Sequence, residues 1–271
     1  MTAPTYQPLP LGSTLAASFR VTRQHLGALL RLVWPTVVVL AAVRFAFDWY
    51  VWVPEPVRAA REFFDELPIL AVQSLAGCVI GAPAVAAWCR GLQGLGPLDR
   101  IEAPAWRRSI PVGFYLIAMS LCLALGLIAI VYAIVGELRL GRFIIGWLGI
   151  LVAFLGSARL GLFVPARAAG PQTEPADLWE YTAQMRGWRV AFGSLATLLP
   201  VVVFAVAQAA VSSSLDADAR VLYAATEAIG DALMFPIGFW NLAFFTLAFQ
   251  HFAGQGVPSV VGRAEDGNVS T

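Results

Sequence analysis

Apolar and polar positions along the chain fall into two kinds of segment. Long stretches in which almost every position is apolar alternate with short ones rich in arginine, proline, glycine and acids. A helix crossing ~30 Å of hydrocarbon needs about 20 mostly apolar residues. Six stretches meet that requirement: Val33–Val53, Leu67–Trp88, Pro111–Val135, Phe143–Pro165, Val190–Val211 and Ala228–Phe252. They are continuous rather than alternating, which excludes a barrel of ~10-residue strands. The opening segment differs. Ser13 suits a helix N-cap, and Leu15, Phe19, Thr22, Leu26 and Leu29 recur at helical spacing, with Arg20, Arg23, Gln24 and Arg31 on other faces. Trp34-Pro35 then predicts a break before the first span. Such an amphipathic helix is expected to lie in the membrane interface with its arginines toward anionic headgroups. Shorter versions are expected around Val57, Ala60, Phe64 and Leu67, and around Leu178, Tyr181, Met185 and Trp188 after Pro175.

The predicted fold is therefore an all-α integral membrane protein. Six transmembrane helices form three like-oriented helical hairpins with interfacial amphipathic helices. The odd-numbered spans start near residues 33, 111 and 190, each after a segment with arginine and tryptophan. The domain reading is a polar tail over 1–12, a single membrane domain over 13–252 and a second tail over 253–271. The first twelve residues lack the basic region and compact apolar core of a cleavable signal, so the first span is expected to direct insertion and be retained.

Composition supports the membrane assignment and narrows the rest. Only 13% of residues are charged and 59% are hydrophobic. Soluble domains carry about 25% charged residues, so most of this surface cannot face water. All 18 basic residues are arginine, a usage that fits a GC-rich bacterial genome. Net charge is +1, which supplies no long-range field for nucleic acid. Cys78, Cys89 and Cys122 lie in or beside apolar runs without ligand spacing and read as packing residues. Eleven arginines fall in the flanks on one side of the predicted spans and five on the other. The arginine-rich side should be cytoplasmic. This predicts a bacterial inner-membrane protein with both termini inside, and with acids such as Glu227 and Asp231 clustered outside.

Few polar groups fall within the spans. Arg44 lies nine residues before Val53, about 13 Å below the outer edge, and Asp48 stands one turn on as its expected partner. Gln73, Arg159, Gln208 and Asn241 complete the candidate intramembrane polar residues. Two small-residue patterns are candidate helix-packing sites: the pair Gly77 and Gly81, and the stripe Gly149, Ala153, Ser157 and Gly161.

Trp179, Thr182 and Gly187-Trp188-Arg189 ahead of a span, with Ser18, Phe19 and Arg23 ahead of the first, resemble a broad family. These are six-helix bacterial inner-membrane proteins of unknown function, similar to the membrane region fused to some glycerophosphodiester phosphodiesterases. The family places its tryptophan, threonine and glycine closer together than here. The resemblance spans nearly the whole chain as an architecture. It implies location and helix layout, and no activity, because the 271 residues hold no counterpart of the soluble catalytic barrel.

Three functional readings follow. A membrane-embedded lipid enzyme would need clustered Asp, His or Lys groups; the chain has two histidines, His25 and His251, and no HExxH, GxSxG or paired-aspartate motif. A transporter or permease component could use helix breaks at Pro83 and at Pro236 with Gly238, and a polar pathway near Arg44 and Asn241. A scaffold or lipid- or partner-associated role without catalytic chemistry accounts for the sparse polar inventory and the packing patterns, and leads. No cofactor or metal is expected. The expected partners are the lipid bilayer, with anionic headgroups at the inner face, and a second copy or another membrane protein, with no nucleic acid.

Overall fold

The computed structural model describes residues 9–51, 63–102, 105–135, 140–170, 186–215 and 219–253. They form seven helices: α1 (Leu11–Gln24), α2 (Leu26–Val51), α3 (Phe63–Leu92), α4 (Ala105–Val135), α5 (Leu140–Ala169), α6 (Arg186–Ser213) and α7 (Arg220–Phe252). Helices α2 to α7 each contain a stretch long and apolar enough to cross a membrane, and no strand occurs among the described residues. The protein is an all-α, multi-pass membrane protein with six such helices. Of the interfacial segments read around Val57 and Leu178, Phe64 and Leu67 fall in the first turns of α3 and Trp188 in that of α6; the rest of both segments, and both polar tails apart from residues 9–12 and Ala253, lie outside the described residues.

Two local expectations need correction. Pro10, not Ser13, precedes the first helix; Ser13 Oγ instead donates back to the Pro10 carbonyl at 3.0 Å. The break expected at Trp34-Pro35 falls at His25. There the His25 amide still donates to the Val21 carbonyl and its own carbonyl accepts from Leu29 N, so the chain turns within one residue. Pro35 sits inside α2. A proline removes one rung of the helix ladder, yet α2 continues past Pro35, which is exposed, while Val33 and Thr36 beside it face inward.

Helix α7 is the axis of the bundle. It packs against α1, α2, α3, α5 and α6, and every residue from Asn241 to Gln250 is buried. Lipid tails are as apolar as leucine, so helices associate in a membrane through close packing rather than water exclusion. The residue choices follow from that. Phe244 and Phe245 of α7 lie on Gly193 of α6 and Gly161 of α5, where a Cβ would collide with either ring. Helices α4 and α5 make the most extensive pair. Gly149 abuts Ala129 and Ala153 abuts Gly126, so two backbones come together over four small residues. The small-residue stripe of α5 thus winds from α4 at Gly149 and Ala153 to α7 at Gly161. The Gly77 and Gly81 pair is not a helix seam. Gly81 faces the Phe235 ring, while nothing lies within 4 Å of a Cβ placed on Gly77.

Packing is uneven along the bundle. Leu9 joins the apolar cluster of Phe249 and Phe252, so the two described chain ends share one end of the molecule. The dense clusters occupy that half, with Leu29, Leu32, Trp88, Val164 and Phe239 among their members. Helix α1 closes it by turning Thr14, Ser18 and Val21 inward. Ser18 Oγ accepts a hydrogen bond from Trp240 Nε1 at 3.0 Å, and Phe19 meets the same indole edge-on while remaining largely exposed. The distal half is looser and holds a cavity.

The seam between α4 and α5 makes a prediction. Gly149→Leu forces α4 away from α5 and should cost about 1–3 kcal/mol, whereas Gly77→Leu, entering open space, should leave stability unchanged. Thermal unfolding of both variants in one detergent checks this; equal melting temperatures would contradict the packing.

Candidate functional site

An arginine in an apolar span has to meet an anion, because an unpaired charge in hydrocarbon is costly. Arg44 lies five residues before Trp49, where the apolar stretch of α2 ends, about 8 Å below that end. Three carboxylates surround it. Its Nε donates to Asp48 Oδ2 at 2.7 Å within α2, and its Nη2 reaches Glu227 Oε2 at 3.3 Å on α7. Asp231 Oδ2, one turn further along α7, lies 3.4 Å from Nε. Arg44, Asp48 and Glu227 are mostly shielded, with side chains 16, 11 and 14% exposed, while Asp231 is 36% exposed.

Helix α6 completes the group. Gln208 Nε2 donates to Glu227 Oε2 at 3.2 Å, and Ser212 Oγ donates to Glu227 Oε1 at 2.5 Å. Glu227 is therefore the hub that ties α2, α6 and α7 together at the distal end. A carboxylate that accepts from a guanidinium, an amide and a hydroxyl has its lone pairs well used. The three carboxylates converge on the guanidinium rather than on a vacant point. Among the described residues no three His, Cys, Asp or Glu side chains are placed to hold a metal ion.

Below this group lies a cavity of about 560 Å³, within the usual range for small-molecule sites. Arg44 and Asp231 form its charged end. Its walls are mainly apolar and come from six helices, among them Leu40, Met119, Leu198 and Phe239. Val43, Val72 and Leu123 also line it and are themselves exposed, so the cavity communicates with the flank of the bundle. Asn241 and Ser194 mark the far end. Asn241 is 5% exposed, and its Nδ2 donates to the Ser194 carbonyl at 3.1 Å and to Ser194 Oγ at 3.2 Å.

No family model, curated protein or solved structure matches this chain. The site must therefore be read from its own geometry.

That geometry sorts the candidate residues. Arg44, Asp48 and Gln208 belong to one hydrogen-bonded group through Glu227. Arg44 and Asn241 line the same cavity, at opposite ends. Arg159 is half-buried on α5 and is not among the lining residues. Gln73 belongs to α3, and its side chain lies outside the described residues. Gly77, Gly81 and Ser157 face the cavity, whereas Gly149, Ala153 and Gly161 serve helix contacts. Four contributors were not singled out as site residues: Glu227, Asp231, Ser212 and Ser194. A usable signal existed for two of them. Glu227 and Asp231 repeat the four-residue spacing of Arg44 and Asp48, which puts both acids on one helix face.

Removing the cation should hurt far more than removing one acid. Arg44→Ala leaves three clustered carboxylates without their partner, which should cost about 3–5 kcal/mol, the range for one partner lost from a buried pair. Asp231→Asn, at the most exposed and most distant acid, should cost much less. Comparable losses in thermal unfolding would show that Arg44 is not the centre of the group.

Proposed function

We propose that this protein holds a membrane-partitioned amphiphile in its distal cavity and performs no catalytic chemistry on it. The observation that carries the reading is one cavity, lined mainly by apolar side chains, that ends on Arg44 and Asp231. An apolar slot with a charged end inside a bundle matches a molecule with a tail and a polar head. The opening past Val43, Val72 and Leu123 supplies lateral access from lipid. This sharpens a lipid-associated role over a purely structural scaffold.

The direct test is native mass spectrometry of the protein extracted in nanodiscs. Wild type should retain a lipid-like adduct, and Gly77→Leu, which adds bulk at a cavity-lining position where a Cβ meets nothing within 4 Å, should lose it. Absence of any adduct, or equal retention by both proteins, contradicts the reading.

A second reading, passage of a solute along this cavity, is favoured by one observation: Arg44 and Asn241 lie on the same lining. It requires that Arg44→Ala and Asn241→Ala abolish a flux while the protein still folds.

The proposed setting is the bacterial inner membrane with both termini cytoplasmic. The support is the arginine bias, which would leave the Arg44 group in the outer leaflet. In a background without Cys78, Cys89 and Cys122, a cysteine at Ser213 should react with an impermeant maleimide from outside and one at Ser259 should not. The reverse pattern overturns the orientation.

A further inference from the structure

Arg44 is not the only arginine of α2 within its apolar stretch. That stretch begins at Leu26, and Arg31 lies five residues into it and is exposed. Arg44 is answered by three carboxylates, whereas Arg20, Arg23 and Arg31 form no ion pair among the described residues. Their neighbours have no acid to spare. No acid precedes Asp48 in the chain. Helix α1 packs on α2, α6 and α7, whose described acids, Asp48, Glu227 and Asp231, are all gathered around Arg44. A cation at the edge of hydrocarbon needs an anion, and here lipid adjoins it.

The rotation of both helices is fixed by what they bury. Helix α1 turns Thr14, Ser18 and Val21 inward, with Trp240 Nε1 donating to Ser18 Oγ. At about 100° per residue, Arg23 falls opposite that face, with Phe19 on one side of it and Arg20 on the other, all three exposed. Helix α2 buries Leu29, Leu32, Val33 and Thr36, which turns Gly27, Arg31 and Trp34 outward. His25 keeps helical hydrogen-bond spacing through the corner, so Arg23, Gly27 and Arg31, each four residues from the next, share one side. Nothing lies within 4 Å of a Cβ placed on Gly27, which leaves a notch between the two arginines. Helical Cα–Cβ bonds tilt toward the N-terminus, so Arg31 leans back out of the hydrocarbon toward that notch. Leu26, Leu30 and Trp34 are exposed beside it, Trp34 at 66%.

We propose that the corner between α1 and α2 binds a phospholipid with an anionic head. Its phosphate sits between Arg23 and Arg31 over Gly27, and its tails lie on Leu26, Leu30 and Trp34. A zwitterionic head would bring a further cation to a group that is already cationic, and a soluble anion would leave the apolar side of the corner unused. This lipid contact is separate from the distal cavity and does not depend on it.

The test uses the full chain in nanodiscs of phosphatidylcholine with a minor share of phosphatidylglycerol, and native mass spectrometry counts the lipids retained. Wild type should retain phosphatidylglycerol in preference to phosphatidylcholine. Arg23→Gln and Arg31→Gln should each lower that preference about five-fold, the weight of one cation at a membrane surface. Arg31→Lys should keep most of it, and Gly27→Leu should reduce it by filling the notch. Arg100→Gln removes an exposed arginine from the loop after α3 and should change nothing. The substituted arginines are exposed, so each variant should melt with wild type, and Arg20→Gln carries the test for any that does not. An equal fall in Arg100→Gln would reduce the preference to overall charge and overturn the site. An undiminished preference in the double variant Arg23→Gln, Arg31→Gln would overturn it too, and displacement of the lipid by glycerol phosphate would overturn the lipid assignment. Gly77→Leu should leave the preference intact, so failure at the corner and failure of the cavity reading are told apart.

Discussion

The pairing of Arg44 inside the membrane is the interaction on which the distal half of this protein depends. A guanidinium about one and a half turns inside an apolar span cannot be left to lipid. The nearest answer, Asp48 on the same helix, supplies one acceptor to a group with five donors. The remaining demand is met from α7, and Glu227 in turn recruits Gln208 and Ser212 of α6. One charge thereby fixes the distal ends of three helices with respect to each other. The opposite half needs no such device, because phenylalanines seated on glycines already hold α5, α6 and α7 together.

These two ways of joining helices account for the cavity between them. Toward the chain termini, aromatic rings of α7 sit on glycines of α5 and α6, while small residues bring the backbones of α4 and α5 together at Gly126 and Gly149 in the distal half. At the distal end α2, α6 and α7 are tied instead by side chains with reach, and long polar contacts hold these three helices together without filling the space beneath them. The cavity lies where dense packing gives way to the polar clasp, with Asn241 on one boundary and Arg44 on the other. Helix α7 runs through both regimes. Its buried run from Asn241 to Gln250 belongs to the core and its first three turns to the clasp. A movement of α7 would therefore change the cavity and the core together.

Much of the helix layout could be read from the chain, because a membrane span is written in length and apolarity alone. Boundaries were less legible. Pro35 predicts a break when taken by itself, yet α2 runs on through it with the proline exposed, and the turn falls at His25. The site was legible only in part, for a physical reason. A four-residue spacing within one helix is a local fact, so Arg44 and Asp48 can be paired from the sequence. Whether Glu227 on a distant helix faces them depends on the rotation of α7 about its axis, which is set by where Phe244 and Phe245 find glycines. Glu227 and Asp231 look like surface acids near a helix start until that rotation is known. Gly77 shows the converse. Of a pair that commonly marks close helix contact, only Gly81 meets a neighbour, the Phe235 ring, and Gly77 borders the cavity.

The central claim is that Arg44 of α2 is held across the bundle by Glu227 of α7, and a double-mutant cycle measures that contact directly. Unfolding free energies of wild type, Arg44→Met, Glu227→Gln and the double variant isolate the pairwise term. The account predicts that the double variant is more stable than the sum of the single losses implies, by about 1 kcal/mol or more. Strict additivity would contradict it, because Arg44 and Glu227 would then act independently and the clasp joining α2 to α7 would not exist.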